Sequence, residues 1–342
     1  MSFIYQQQLP SPSEMIAELP MDDALLKAKA VRDAQLRACL DGSDERMIVI
    51  VGPCSAHEEE AVCDYIRRLA DMEAAIKDRL LLIPRIYTNK PRTTGEGYKG
   101  MLHQPNPMDK PDMLEGIRAI RKLHLRSLRE SGLFAADEML YPGNHPYVDD
   151  LLSYVAVGAR SSENQQHRLT ASGLDIPVGI KNPMSGDIPV LINSIRAAQT
   201  GHVFSYNGWQ VETSGNPFAH AILRGGFDSH GNHIPNYHYE NLMELAKAYE
   251  KSPLVNPAVI IDTNHSNSAK QYDQQPRIAL EVMLHRKHSE TLRHLVKGFM
   301  IESFIEPGAQ GPDDNVYGKS ITDPCLGWGE TREVLLRIAD AV

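Results

Sequence analysis

Eight short apolar runs, separated by longer stretches of helical periodicity, constrain this chain more than any other feature. They span Met47 to Cys54, Leu80 to Tyr87, Leu133 to Met139, Tyr154 to Arg160, Ile176 to Asn182, His220 to Gly225, Ala258 to Asn264 and Phe299 to Phe304. Most are apolar at successive positions, as in IVIV from Ile48 and LLLI from Leu80. A half-exposed strand alternates apolar and polar residues, whereas a strand covered on both faces has no polar face to alternate with. Eight such strands with mainly helical connections predict an α/β fold, a (β/α)8 TIM barrel. A doubly wound open sheet is the competing arrangement.

Two segments stand outside the alternation. Pro10, Pro12 and Pro20 predict extended pieces at the start, after which Met21 to Leu40 carries Leu25, Leu26, Ala28, Val31, Leu36 and Leu40 at helical spacings. The expected division is an N-terminal extension, an arm and helix over 1–46, followed by a catalytic barrel over 47–342. His202 to Thr213 reads as two period-2 runs joined at Asn207-Gly208, which predicts a β-hairpin inserted between the fifth and sixth barrel strands.

Composition narrows the class of partner. With 44 acidic and 35 basic side chains the net charge is -9, which argues against a nucleic-acid surface. No apolar run approaches the roughly 18 residues of a membrane span, and Met1 to Pro10 lacks the basic and then apolar pattern of a signal peptide. Four cysteines without a secretory signal read as reduced thiols. These features predict a cytoplasmic protein with no nucleic acid and no membrane as partner. The N-terminal arm predicts a homo-oligomer, a homodimer or homotetramer.

In such a barrel the site lies at the C-terminal ends of the strands, and those ends are polar here. Arg85, Lys90, Arg92, Arg160, Lys181 and Arg224 fall at or just beyond them. Six cations converging on one mouth repel one another unless anions neutralise them. Guanidinium forks and lysine point charges suit small phosphorylated metabolites. A single Lys or Arg is usually a solvated charge, a reading that weakens when six share one strand-terminal position.

A second constellation is Cys54, His265, Glu302 and Asp323, three of which close strands. One thiolate, one imidazole and two carboxylates suit a divalent transition metal such as Mn²⁺, Fe²⁺, Co²⁺ or Zn²⁺ better than Ca²⁺ or Mg²⁺. Each taken alone has a commoner role, the cysteine as apolar filler and the histidine as a hydrogen-bonder in the core. Spacing along the chain does not choose between these readings.

The strings GPCSAH (52–57), KPRTTGEGYKG (90–100), GARSSENQQHR (158–168), PVGIKN (177–182), SGNPFAHAILRGG (214–226), IDTNHSNSAK (261–270), MIESFIEPGAQ (300–310) and YGKSITDPCLGW (317–328) together resemble the microbial type I 3-deoxy-D-arabino-heptulosonate 7-phosphate (DAHP) synthases. The resemblance covers nearly the whole chain in order. It implies condensation of phosphoenolpyruvate and erythrose 4-phosphate with water to the seven-carbon sugar acid and phosphate, the first step of the shikimate pathway, on a metal-dependent (β/α)8 barrel. It further implies that Cys54, His265, Glu302 and Asp323 hold the metal, and that Arg85, Lys90, Ala159, Arg160, Lys181 and Arg224 bind phosphoenolpyruvate. Arg92, Thr93 and Asp323 then bind erythrose 4-phosphate, and Lys90, Lys99, His265 and Cys54 are the expected catalytic residues. The segment Met139 to Tyr147, where relatives bind a feedback amino acid, differs, so no effector carries over. The alternatives are a related synthase using a five-carbon aldose phosphate and a non-catalytic regulatory paralogue. KPRTT favours the four-carbon substrate, and the complete set of ligand types and cations favours catalysis.

Overall fold

Burial of the apolar runs on both faces organises the chain into one closed ring of strands. The computed structural model describes residues 2–92, 94–311 and 314–342. Two helices, α1 (Pro12–Glu18) and α2 (Asp23–Asp41), precede β1 (Met47–Gly52), α3 (Glu59–Ile76), β2 (Leu80–Pro84), α4 (Met113–Ser131), β3 (Ala135–Glu138) and β4 (Leu152–Val157). Then come α5 (Gln165–Ala171), β5 (Val178–Lys181), α6 (Ile188–Gln199), the short strands β6 (Val203–Tyr206) and β7 (Trp209–Glu212), and β8 (Ala219–Leu223). A small ribbon of β9 (Gly226–Phe227) and β10 (His233–Ile234) leads to α7 (Tyr239–Glu250), β11 (Val259–Asp262), α8 (Gln275–His288), α9 (Glu290–Leu295), β12 (Val296–Glu302) and α10 (Trp328–Ala341).

Eight parallel strands pair in the order β2-β1-β12-β11-β8-β5-β4-β3. A parallel bridge between Arg85 and Ala136 joins the two ends, with the Ile86 N–H donating to the Ala136 carbonyl at 2.9 Å. The barrel is therefore closed, and the open-sheet alternative is excluded. All eight expected strands are present, though the polar residues closing several runs, such as Gly158 to Arg160, lie in loops beyond the last ladder bonds.

Each strand divides its apolar residues between two cores. Ile48, Ile50, Leu81, Ile83, Tyr154, Ile222, Ile260 and Met300 fill the barrel interior. Their neighbours Val49, Val51, Leu82, Val155, Val178, Ile261 and Phe299 face outward against Tyr65 of α3, Leu123 of α4, Leu245 of α7, Val282 of α8 and Leu335 of α10. Each such side chain contributes about 1.5–3 kcal/mol on burial, and polar residues within the strands, such as Ser153 and His220, are buried against a partner, Ser153 donating to Asp33 at 2.6 Å and His220 lying 2.9 Å from the Tyr154 hydroxyl.

The N-terminal residues differ in one respect from the extended pieces expected there. Pro12 to Glu18 is a helix, because proline is tolerated in the first turn and Ser11 with Glu14 forms a capping box, Ser11 N–H to Glu14 Oε2 at 2.7 Å. The α2 helix closes the barrel floor: Leu36, Cys39 and Leu40 belong to the interior cluster. The expected hairpin is β6 and β7, paired antiparallel from Val203–Glu212 to Tyr206–Trp209. Asn207 and Gly208 have φ of 49° and 82°, as a two-residue turn with both residues left-handed requires.

Candidate active site

The strand ends bring all six anticipated cations to one place. Arg85, Lys90, Arg92, Arg160, Lys181 and Arg224 line a cavity of about 330 Å³, together with Ala159, Glu138, His265, Lys270 and Asp323. The β8–β9 junction seats the loop after β11 on this rim. Gly225 has φ of 73°, and a Cβ there would lie 2.7 Å from Cβ of Ser266, so only glycine allows the approach.

Half of the cations are neutralised from within. Arg85 donates to Glu302 Oε1 at 2.9 Å and stacks 3.7 Å from the Tyr87 ring centroid, with both charged groups buried. Lys181 lies 3.1 Å from Asp262 Oδ2, and Lys90 lies 3.3 Å from Asp323 Oδ2. Arg92, Arg160 and Arg224 have no carboxylate within ion-pair distance among the described residues. Burial pulls the Arg224 guanidinium below its usual range; Asp262 opposes this and the Arg160 charge adds to it. Those three arginines are the part of the mouth suited to an external anion.

Beneath the cations, Cys54, Glu302 and Asp323 each offer one ligand atom, all within 4.8 Å of one another. Cys54 Sγ is 3.4 Å from Asp323 Oδ2, and Lys90 Nζ donates to the same sulfur at 2.5 Å. This thiol, carboxylate and carboxylate set fits a divalent transition metal through its mixed soft and hard donors. Burial and the Glu302 charge raise the Cys54 thiol, and Lys90 counteracts them. For Glu302 burial acts upward, yet Arg85, His265 and Lys90 together hold the carboxyl below its ordinary range. Asp323 is likewise held low by Lys90 and Lys270 against its own burial.

His265 stands beside this group rather than within it. Its Nδ1 is 2.9 Å from Asp262 Oδ2, and its Nε2 is 3.8 Å from Glu302 Oε1. Burial lowers the imidazole below its ordinary value, with Asp262 opposing, so the ring is neutral near pH 7. Asp262 occupies Nδ1, which leaves the Nε2 lone pair directed toward the carboxylate cluster, the arrangement of a carboxylate-oriented histidine ligand. The residue has φ of 52°, a left-handed conformation that non-glycine residues adopt at some cost.

One anticipated residue does not line this cavity, and another lies outside the described residues. Lys99 does not line the cavity; its carbonyl accepts the Lys90 N–H at 3.0 Å. Thr93 lies outside the described residues. Conversely, Lys270 lines the mouth and donates to Asp323 Oδ1 at 3.2 Å, and Asp262 holds both Lys181 and His265. A carboxylate closing a fully apolar strand was the available signal for Asp262. Nothing in the local pattern marks Lys270.

Comparison with known proteins identifies the family. The sequence profile of the DAHP synthetase I family matches residues 25–336. The chain is 37% identical to the Trp-sensitive phospho-2-dehydro-3-deoxyheptonate aldolase of Enterobacter agglomerans, over 98% of this chain and 95% of that protein. It is also 37% identical to the Phe-sensitive enzyme of Escherichia coli K12, with the same coverage. The structure of the phospho-2-dehydro-3-deoxyheptonate aldolase from Francisella tularensis SCHU S4 superposes with a TM-score of 0.92 at 30% identity, over 100% of this chain and 98% of that one. The chain belongs to the DAHP synthetase I family.

Proposed function

We propose that the mouth described above carries out the family's DAHP synthase reaction with a division of labour among its cations. The observation that carries the reading is the contrast between cations already paired with carboxylates and the three arginines that are not. Arg160 and Arg224, with Lys181 and Arg85 behind them and the Ala159 backbone at the rim, hold the phosphate and carboxylate of phosphoenolpyruvate. Arg92 and Thr93 hold the phosphate of erythrose 4-phosphate, and Asp323 borders its aldehyde end. Holding both substrates in register removes orientational freedom before bond formation.

Cys54, Glu302, Asp323 and His265 would hold one divalent transition metal, Mn²⁺, Fe²⁺, Co²⁺ or Zn²⁺. Bound there, the metal supplies Lewis-acid polarisation of the aldehyde. C3 of the enol attacks the aldehyde carbon, water adds at the carbon bearing the enol phosphate, and C–O cleavage releases inorganic phosphate. Lys90, kept protonated by Cys54 and Asp323 despite its burial, is placed to donate a hydrogen bond to the oxygen that gains charge. Arg160 and Arg224 stabilise the charge that grows on the departing phosphate.

The test is phosphate release from phosphoenolpyruvate. Release should require both erythrose 4-phosphate and Mn²⁺, and should stop on adding a chelator. Release with a five-carbon aldose phosphate at equal kcat/KM would favour the related synthase. We further propose a cytoplasmic homodimer or homotetramer; no helix among the described residues is long and apolar enough to cross a membrane. Phe3, Ile4, Tyr5 and Trp209 are exposed apolar residues that a second copy would cover, and sedimentation measures the assembly.

A further inference from the structure

The opposite end of the barrel holds a larger cavity than the mouth, about 750 Å³, between the end of α2, the last turns of α8 and α10, and the start of β12. Its walls carry Arg286 of α8, Arg293 of α9 and Lys297 of β12, with Arg46 and Arg79 at the edge. The basic turn His285 to His288 ends α8, and cations are favoured at a helix C-terminus. That accounts for charge on this turn. It does not account for two cations partly withdrawn from water without a counter-charge.

Arg286 is only partly exposed and places one guanidinium N–H on the Arg293 carbonyl at 3.3 Å. Its Nε is buried with no acceptor. Lys297 Nζ lies within 3.0 Å of the position a Cβ would take on Gly42, the left-handed cap of α2. No carboxylate lies within ion-pair distance of Arg286 or Lys297 among the described residues. The acids facing the cavity are Asp44, Glu45 and Asp340; Asp44 is spent on Arg46, whose NH2 donates to it at 2.6 Å. Burial, then the charge of Arg293, pulls the Arg286 guanidinium down to about 10. Burial and Arg286 together pull Lys297 down, with Cys39 and Asp41 offsetting part of this.

We propose that this floor cavity is a binding site for a small doubly charged oxyanion of the phosphate or phosphomonoester class, held by Arg286, Lys297 and Arg293. Two forks and one ammonium approach from three different elements, which offers more donors than the two oxygens of a carboxylate use. The site is separate from the mouth, since it is built on the N-terminal ends of the strands. An occupant there touches α2, whose Leu36, Cys39 and Leu40 form the floor of the barrel interior, and so binds the helix to α8 and β12.

Equilibrium dialysis with ³²P-labelled inorganic phosphate tests this on the Mn²⁺-loaded protein with saturating phosphoenolpyruvate, at fixed ionic strength. Any phosphate taken at Arg92 is common to all variants and cancels in the difference. Arg286→Gln and Lys297→Met should each bind one phosphate per chain fewer than the parent at low millimolar phosphate. Their kcat should stay within about twofold, because neither residue touches the mouth. Should one variant not fold, the other carries the comparison. Equal phosphate stoichiometry in a folded variant and the parent overturns the proposal, and does so independently of whether the mouth performs the reaction proposed for it.

Discussion

Replacing Asp262 by asparagine tests the internal electrostatics of the mouth with least change of shape. The carboxylate lies 3.1 Å from Lys181 Nζ and 2.9 Å from His265 Nδ1, and the Lys181–Asp262 pair is sealed from water, with side-chain exposures of 3% and 1%. Asparagine can still accept one hydrogen bond, but Lys181 becomes a buried charge facing Arg224 and Arg85 with no counter-ion. Breaking a buried pair from one side costs about 3–5 kcal/mol, and the remaining hydrogen bond argues for the lower end. With 342 residues at about 2.1 cal/mol/K each, the unfolding entropy is about 0.7 kcal/mol/K, so about 3 kcal/mol lowers Tm by about 4 °C. His265 also loses the charge that orients it, which should weaken metal binding about 10–100-fold. Calorimetry of the metal-free protein and Mn²⁺ titration in a buffered chelator read the two effects separately. A pH series adds a signed check. Burial pushes Asp262 up, but His265 and Lys181 outweigh it and hold the carboxyl well below its usual value. Its contribution is therefore complete above the unfolded value near pH 4 and is lost as pH falls toward the depressed folded value. The parent should lose its advantage over Asp262→Asn as pH drops below about 4. A variant with unchanged Tm and unchanged metal affinity at pH 7 would refute the reasoning.

Three further outcomes follow from the same geometry. Cys54→Ala should abolish metal-dependent activity while moving Tm by no more than about 3 °C, since one small buried atom is removed; full activity would remove Cys54 from the ligand set. Arg92→Ala should raise KM for erythrose 4-phosphate about 10–100-fold, the value of a charge-assisted hydrogen bond of about 1.5–3 kcal/mol, with a smaller change for phosphoenolpyruvate. Equal shifts would undo the division of sites. Gly208→Val places a β-branched residue at φ of 82°, costing about 1–2 kcal/mol, and should speed proteolysis between β6 and β7 without lowering kcat. Unaltered cleavage would show that the turn does not hold the hairpin.

The barrel was legible in the sequence because both-face burial is a local constraint: most strands write their own largely apolar run, as Ile48 to Val51 does. The hairpin was legible for the same reason, Asn207 and Gly208 sufficing for the turn. The strand-terminal cations could be named because a barrel places every such residue at one mouth. By contrast, Cys54 and Asp323 meet across 269 positions of chain, a contact no local pattern records. Only barrel closure pairs Arg85 with Glu302 and Lys181 with Asp262, leaving Arg92, Arg160 and Arg224 for external anions. The same closure brings Lys270 to Asp323 and sets α2 beneath the strands as a floor. Secondary structure and the inventory of charges are properties of neighbouring residues, and the sequence determined them; which charges meet, and which remain free, depends on distance in space, and the tertiary structure alone decided that.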